Sequence, residues 1–139
     1  MEFEAEQKFV MNYVKKERQD RLLYELTHPK KRYAGLSRFC HHAEDLLAKD
    51  KILSSGSNLF RQEAVLRILA EHDTGACRML SPDPCLDGRT VSLGCAVELS
   101  EACADAVIFL FSHFAIVQDE VSKKGRNRFL LSSHNRRND

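Results

Sequence analysis

The sequence predicts an α+β domain in which three N-terminal helices pack on an antiparallel sheet of three or four strands drawn from the C-terminal half. Three observations support this class. Up to Gly75, apolar residues recur every three or four positions between charged ones, the spacing of amphipathic helices. Beyond it, Ala106 to Phe111 is a dense β-branched and aromatic run, and Phe129 to Leu131 is a shorter apolar one, both reading as strands. Helical segments precede the strand segments instead of alternating with them, so the strands need no parallel crossovers.

The first helix is expected from Glu2 to Thr27, stopped by His28-Pro29 because a residue before proline is pushed out of the helical region. Its apolar residues fall into two clusters, Phe9-Val10-Tyr13-Val14 and Leu22-Leu23-Tyr24-Leu26, separated by the wholly polar run Lys15 to Arg21. At 3.6 residues per turn the clusters point to different sides of a continuous helix. Phe9, Val10, Tyr13 and Val14 therefore predict an exposed patch covered by a second copy, a twofold dimer with Phe9 and Tyr13 near its centre. The competing arrangement breaks the helix near Glu17 and buries both clusters in one monomer.

A second helix over Lys31 to Lys49 carries the apolar stripe Tyr33, Leu36, Phe39, Cys40, Ala43, Leu46 and Leu47. Gly35 within it marks either a close helix contact or a later start at Ser37. The polar loop Ser54 to Asn58 leads to a third helix, Leu59 to Glu71, stopped by Asp73-Thr74-Gly75. Cys77 to Leu80 reads as a short strand, and Ser81 to Arg89, with Pro82, Pro84 and Asp87-Gly88, as a loop. Val91 to Leu99 alternates like a strand but is rich in helix formers, and is read as a short helix capped by Ser92. Val107 to Phe111 has no polar alternation and should be a central strand covered on both faces. Phe114 to Val117 continues it as a hairpin arm or past a bulge. Lys123 to Asn127 is a hairpin loop into Phe129 to Leu131, beside which Asp119-Glu120 should pair with the basic loop. Residues 1–131 make one domain, and 132–139 a frayed tail.

Charge is unevenly spread. Lys8 to Arg38 holds nine Lys/Arg against three Asp/Glu; Thr90 to Ser122 holds five acids and no Lys or Arg. Lys30, Lys31 and Arg32, with Arg136-Arg137, form a candidate basic patch. No helix-turn-helix, zinc-finger or RNP pattern accompanies it, so nucleic acid ranks below a protein partner. The five cysteines form no CxxC pair, the N-terminus does not read as a signal peptide, and the longest apolar run is too short to span a bilayer. The expectation is a cytoplasmic protein with free thiols and no membrane segment.

Reaction chemistry has few candidates. Cys40-His41-His42 with Glu44 and Asp45 is the densest set of metal-capable side chains. Neighbours on a helix diverge, however, and third ligands such as His72, His113 or Asp83 are candidates only by being available; no metal and no cofactor is expected. Cys40, Cys77 or Cys85 could serve as a thiolate with His113 as base; Cys85, in the proline-containing loop between Asp83 and Asp87, is the foremost candidate. Ser54 to Asn58 lacks the second glycine and the Gly-Lys-Ser/Thr ending of a phosphate loop. The expected function is a non-enzymatic interaction or regulatory module. The alternatives are a nucleic-acid-associated regulator using the basic helices and tail, and a small enzyme or metal protein using Cys/His residues.

Overall fold

The computed structural model describes residues 3–71, 76–123 and 125–133. The expected first helix is two helices, α1 (Glu4–Tyr13) and α2 (Lys16–Leu26). Between them Val14 is extended and bridges Leu47, while the Lys15 N–H donates to Leu46 O at 2.9 Å and the Ala48 N–H to Tyr13 O at 2.8 Å. Residues 46–48, which the sequence assigns to the end of the second helix, thus supply the backbone partners that the interrupted helix lost. The break re-aims the two halves so that Phe9, Val10, Tyr13 and Val14 pack in the same core as Leu22 and Leu26. All four residues of the supposed patch are buried, Phe9, Val10 and Tyr13 completely. The interaction surface expected there is therefore corrected to core, and the argument for a dimer through this helix loses its surface.

The second expected helix also divides. Helix α3 (Pro29–His41) takes Pro29 into its first turn, where the missing N–H costs nothing, and α4 (Ala43–Leu46) follows a turn at His42. Leu36, Phe39, Cys40, Ala43 and Leu47 are buried as the stripe requires, but Tyr33 is 67% exposed. The third helix begins as a single 3-10 turn, Leu59–Arg61, before α5 (Glu63–Glu71). Its expected stop at residues 73–75 lies outside the described residues.

Six strands form one antiparallel sheet: β1 (Ile52–Ser55), β2 (Ala76–Leu80), β3 (Thr90–Ser92), β4 (Val107–Leu110), β5 (Phe114–Gln118) and β6 (Arg128–Ser132), in spatial order β1-β6-β5-β4-β2-β3. Strand β1 was not expected, and its last two residues take the start of the expected polar loop Ser54 to Asn58. The 91–99 segment resolves its own conflict, since β3 ends at Ser92 and α6 (Leu93–Ala102) begins there, the Cys95 N–H donating to Ser92 Oγ at 3.1 Å. Strands β4 and β5 form a hairpin, the first of the two arrangements left open by the sequence. Ser132, assigned to the frayed tail, pairs with Phe114 at the end of β6; residues 134–139 lie outside the described residues.

Every residue of β4 is buried. Leu80, Ile108, Leu110, Ala115, Val117 and Leu131 face α1–α4. Met79, Val107, Phe109, Ile116 and Leu130 face Leu59, Phe60, Val65, Leu69 and Ala96. The α+β class holds: the sheet is sandwiched between two helical layers, as the expected double cover of its central strand requires, and it has six strands where three or four were expected. The uninterrupted apolar run in β4 follows from this double cover. Among the described residues no helix is long and apolar enough to cross a membrane.

Candidate functional site

Loop 81–89 is held against the helical layer by one arginine. Arg32, at the start of α3, donates from Nε and Nη2 to Asp87 Oδ2 and Oδ1 at 2.7 and 2.8 Å; its Nη1 reaches Leu26 O at 2.8 Å and Glu6 Oε2 at 2.7 Å. The planar fork matches a carboxylate in two places at once, which a lysine could not do. The Asp87 carboxylate, aided by Glu6, raises the Arg32 pKa further against its burial. The loop is braced internally as well: the Ser81 N–H donates to Asp87 Oδ1, and Ser81 Oγ–H to Ala106 O at 2.7 Å. Of Lys30, Lys31 and Arg32 only the two lysines are exposed; Arg136 and Arg137 lie outside the described residues. Arg32 turns inward and its charge is spent on two acids, so the three-residue patch is corrected to two.

Above this anchor lies a cleft of about 340 Å³ lined by Pro29, Arg32, Tyr33, Pro82, Pro84 and Asp87. Tyr33 stands at its edge. Tyr24, 52% exposed, stacks on His28 at 3.9 Å between ring centres at the end of the preceding helix. The walls are pre-organised, because prolines fix their own φ and the loop between them is pinned by Arg32. Nothing in the apolar periodicity of α3 marks Tyr33 as exposed; the only signal is its position one turn after Pro29, near the start of the helix and before the helix meets the core.

The other expected site residues are dispersed. Cys85 is exposed, and its N–H donates to Asp83 Oδ1 at 2.9 Å. Asp83 lies against Asp105. The Cys85 N–H, then Asp105, hold the Asp83 carboxyl below its ordinary value, while Asp83 pushes Asp105 up, so the two acids compete for one proton. His113 occupies the β4–β5 turn, at the opposite end of β4 from Asp105, about 13 Å away along the strand. The candidate Cys85–His113 pair is therefore not assembled.

His41 finds partners that its sequence neighbours did not suggest. Its Nδ1 is 3.1 Å from Asp119 Oδ1 and its Nε2 3.7 Å from Glu120 Oε1, so among the described residues these acids pair with α3 and not with the basic loop as expected. Adjacent Cys40 is buried, and burial, then Asp119 and Glu120, pushes its thiol far above the usual range. A thiol so placed does not ionise to a nucleophile. Among the described residues no three His, Cys, Asp or Glu side chains are grouped as a metal site requires; His72 lies outside them.

The basic loop instead serves the C-terminal end of α6. Arg126 donates to Ser100 O and Cys103 O, each at 2.7 Å, and Arg128 donates to Ser100 Oγ, Gln118 Oε1, Ser100 O and Ser57 O. Two guanidiniums thus sit on carbonyls at the negative end of the helix dipole. Arg128 is 4% exposed and, among the described residues, bonded to neutral acceptors, and burial lowers its pKa.

No protein-family model, curated protein sequence or solved structure matches the chain significantly.

Proposed function

We propose that this protein is a non-enzymatic interaction module that recognises an acidic segment of a partner protein at the Tyr33 cleft. The observation that carries the reading is the exposure of Tyr33, an aromatic whose helical spacing would put it in the core, beside Pro29 of its own helix and the two prolines of a braced loop. Rigid aromatics at a concave, pre-ordered surface are the usual anchors of protein interfaces. Lys30 and Lys31, exposed next to the cleft, supply the charge that selects an acidic partner. The scattering of Cys85, His113 and Cys40 supports ranking an enzyme lower.

A photo-crosslinking amino acid in place of Tyr33, with one in place of exposed Arg67 as control, tests the reading in extract of the producing cells. The expected result is a protein captured from position 33 and not from 67. A peptide from its acidic segment should bind the purified chain directly, and about tenfold more weakly after Tyr33→Ala. Capture of nucleic acid alone would favour the second reading, in which Tyr24 and Tyr33 stack on bases beside Lys30 and Lys31. Direct binding unaffected by Tyr33→Ala would remove the cleft from the interface.

A further inference from the structure

The helical layer over the first face of the sheet stops short of β3. Along β2, Leu80 is buried beneath the helices, but Arg78 and Ala76, two and four residues earlier on the same face, are exposed. Across the ladders Arg78 is flanked by Leu110 and Thr90, both neutral. Helix α1 forms the opposite wall with Glu4, Ala5 and Lys8. Floor and wall enclose a groove of about 430 Å³, the size of a small-molecule site. Arg78 lines this groove from the last strand but one of the sheet, with no carboxylate among its cross-strand neighbours. Among the described residues, neither Arg78 nor Lys8 is in ion-pair contact with one, although Glu4 lies one turn from Lys8 on the same helix.

We propose that this groove binds a phosphate-bearing small molecule. The guanidinium fork of Arg78 grips two phosphate oxygens, the Lys8 ammonium supplies the second charge, and the Thr90 hydroxyl donates to a third oxygen. Two cations match the charge of a phosphate monoester, about −1.5 to −2 at neutral pH. A lone carboxylate would leave one of them unneutralised. Glu4 at the rim favours a ligand whose remainder is neutral or cationic and repels a polyanion such as nucleic acid. The site is separate from the Tyr33 cleft and does not depend on the function proposed for it.

Titrating the 15N-labelled full chain with phosphoserine, observed through the Arg78 side-chain Nε–H and the amides of β2 and β3, tests the assignment. Serine and sodium sulfate are the controls, and a phosphoserine peptide is a second arm. Saturable shifts with phosphoserine, absent with serine and weaker with sulfate, are expected. Arg78→Gln and Lys8→Gln should each weaken binding about tenfold, as loss of one charge-assisted contact does. Lys49→Gln, remote from the groove, should not. Arg78 is exposed, so its replacement leaves the core intact, and Arg78→Lys should recover only part of the affinity. Non-saturating shifts, or affinity unchanged in both Gln variants, would overturn the site. Saturation by the peptide without saturation by phosphoserine would overturn the small-molecule assignment.

Discussion

Glu25 of α2 lies so close to Gly35 of α3 that a Cβ on Gly35 would stand 2.9 Å from the Cβ of Glu25. Of the two sequence readings of Gly35, the close helix contact is the one observed. Alanine at this position gains about 1 kcal/mol of helix propensity. It also drives two helices apart where both are buried, an overpacking cost of about 1–3 kcal/mol. Gly35→Ala should therefore give no net stabilisation, and most plainly a loss, in urea unfolding. A clear gain would show that α2 and α3 are free to slide.

The same glutamate gives stability an acid limb. Hydrogen bonding to Arg38, against the opposing effect of burial and with the Arg38 and Arg21 charges assisting, holds the Glu25 carboxyl below its ordinary 4.5. A depressed folded-state value stabilises above the unfolded pKa and loses that contribution as pH falls through the folded one. Urea midpoints should thus be level above the glutamate range and drop below it. Glu25→Gln should start lower at neutral pH and drop less steeply.

Asp87→Ala removes both prongs of the Arg32 fork and leaves the Ser81 N–H without its carboxylate. The expected cost is about 2 kcal/mol, the scale of charge-assisted bonds in a partly exposed setting. Hydrogen exchange should accelerate in residues 81–89 before it does in β4. Uniform acceleration would mean that the pair supports the whole fold and not the loop.

Thiol accessibility follows burial. Cys85 is the exposed cysteine, Cys95 and Cys103 are half-buried, and Cys40 and Cys77 are buried. A thiol-specific reagent should label Cys85 first in the native protein and Cys40 only on unfolding, its pKa being raised by burial and two nearby acids. Early labelling of Cys40 would contradict the packing of α3 on the sheet.

The helix stripes and the central strand were legible because periodicity reports burial directly. Leu36, Phe39 and Cys40 face the core as their spacing requires, and β4 is doubly covered as its unbroken apolar run implies. What sequence hid depended on distant partners. The break at Val14 is stabilised by Leu46, Leu47 and Ala48, and β1 needs β6, whose pairing residues lie far along the chain. Tyr33 looked like core because helical spacing says which face a residue occupies, but not where along its length a helix leaves the core. The ligand-poor surroundings of Cys85 and the carboxylates beside His41 were spatial facts of the same kind.

The strand order carries a temporal consequence. Strand β1 pairs with no strand but β6, so more than half the chain must be synthesised after β1 before its ladder can form. Helices α1–α3 likewise pack on Ile108, Val117 and Leu131, none of which yet exists when those helices are made. During vectorial synthesis the N-terminal half must wait with its apolar faces uncovered. The loop closures are long, and contacts this remote in sequence make for slow folding. Arrival of β6 is then the event that converts a set of waiting helices into a closed protein.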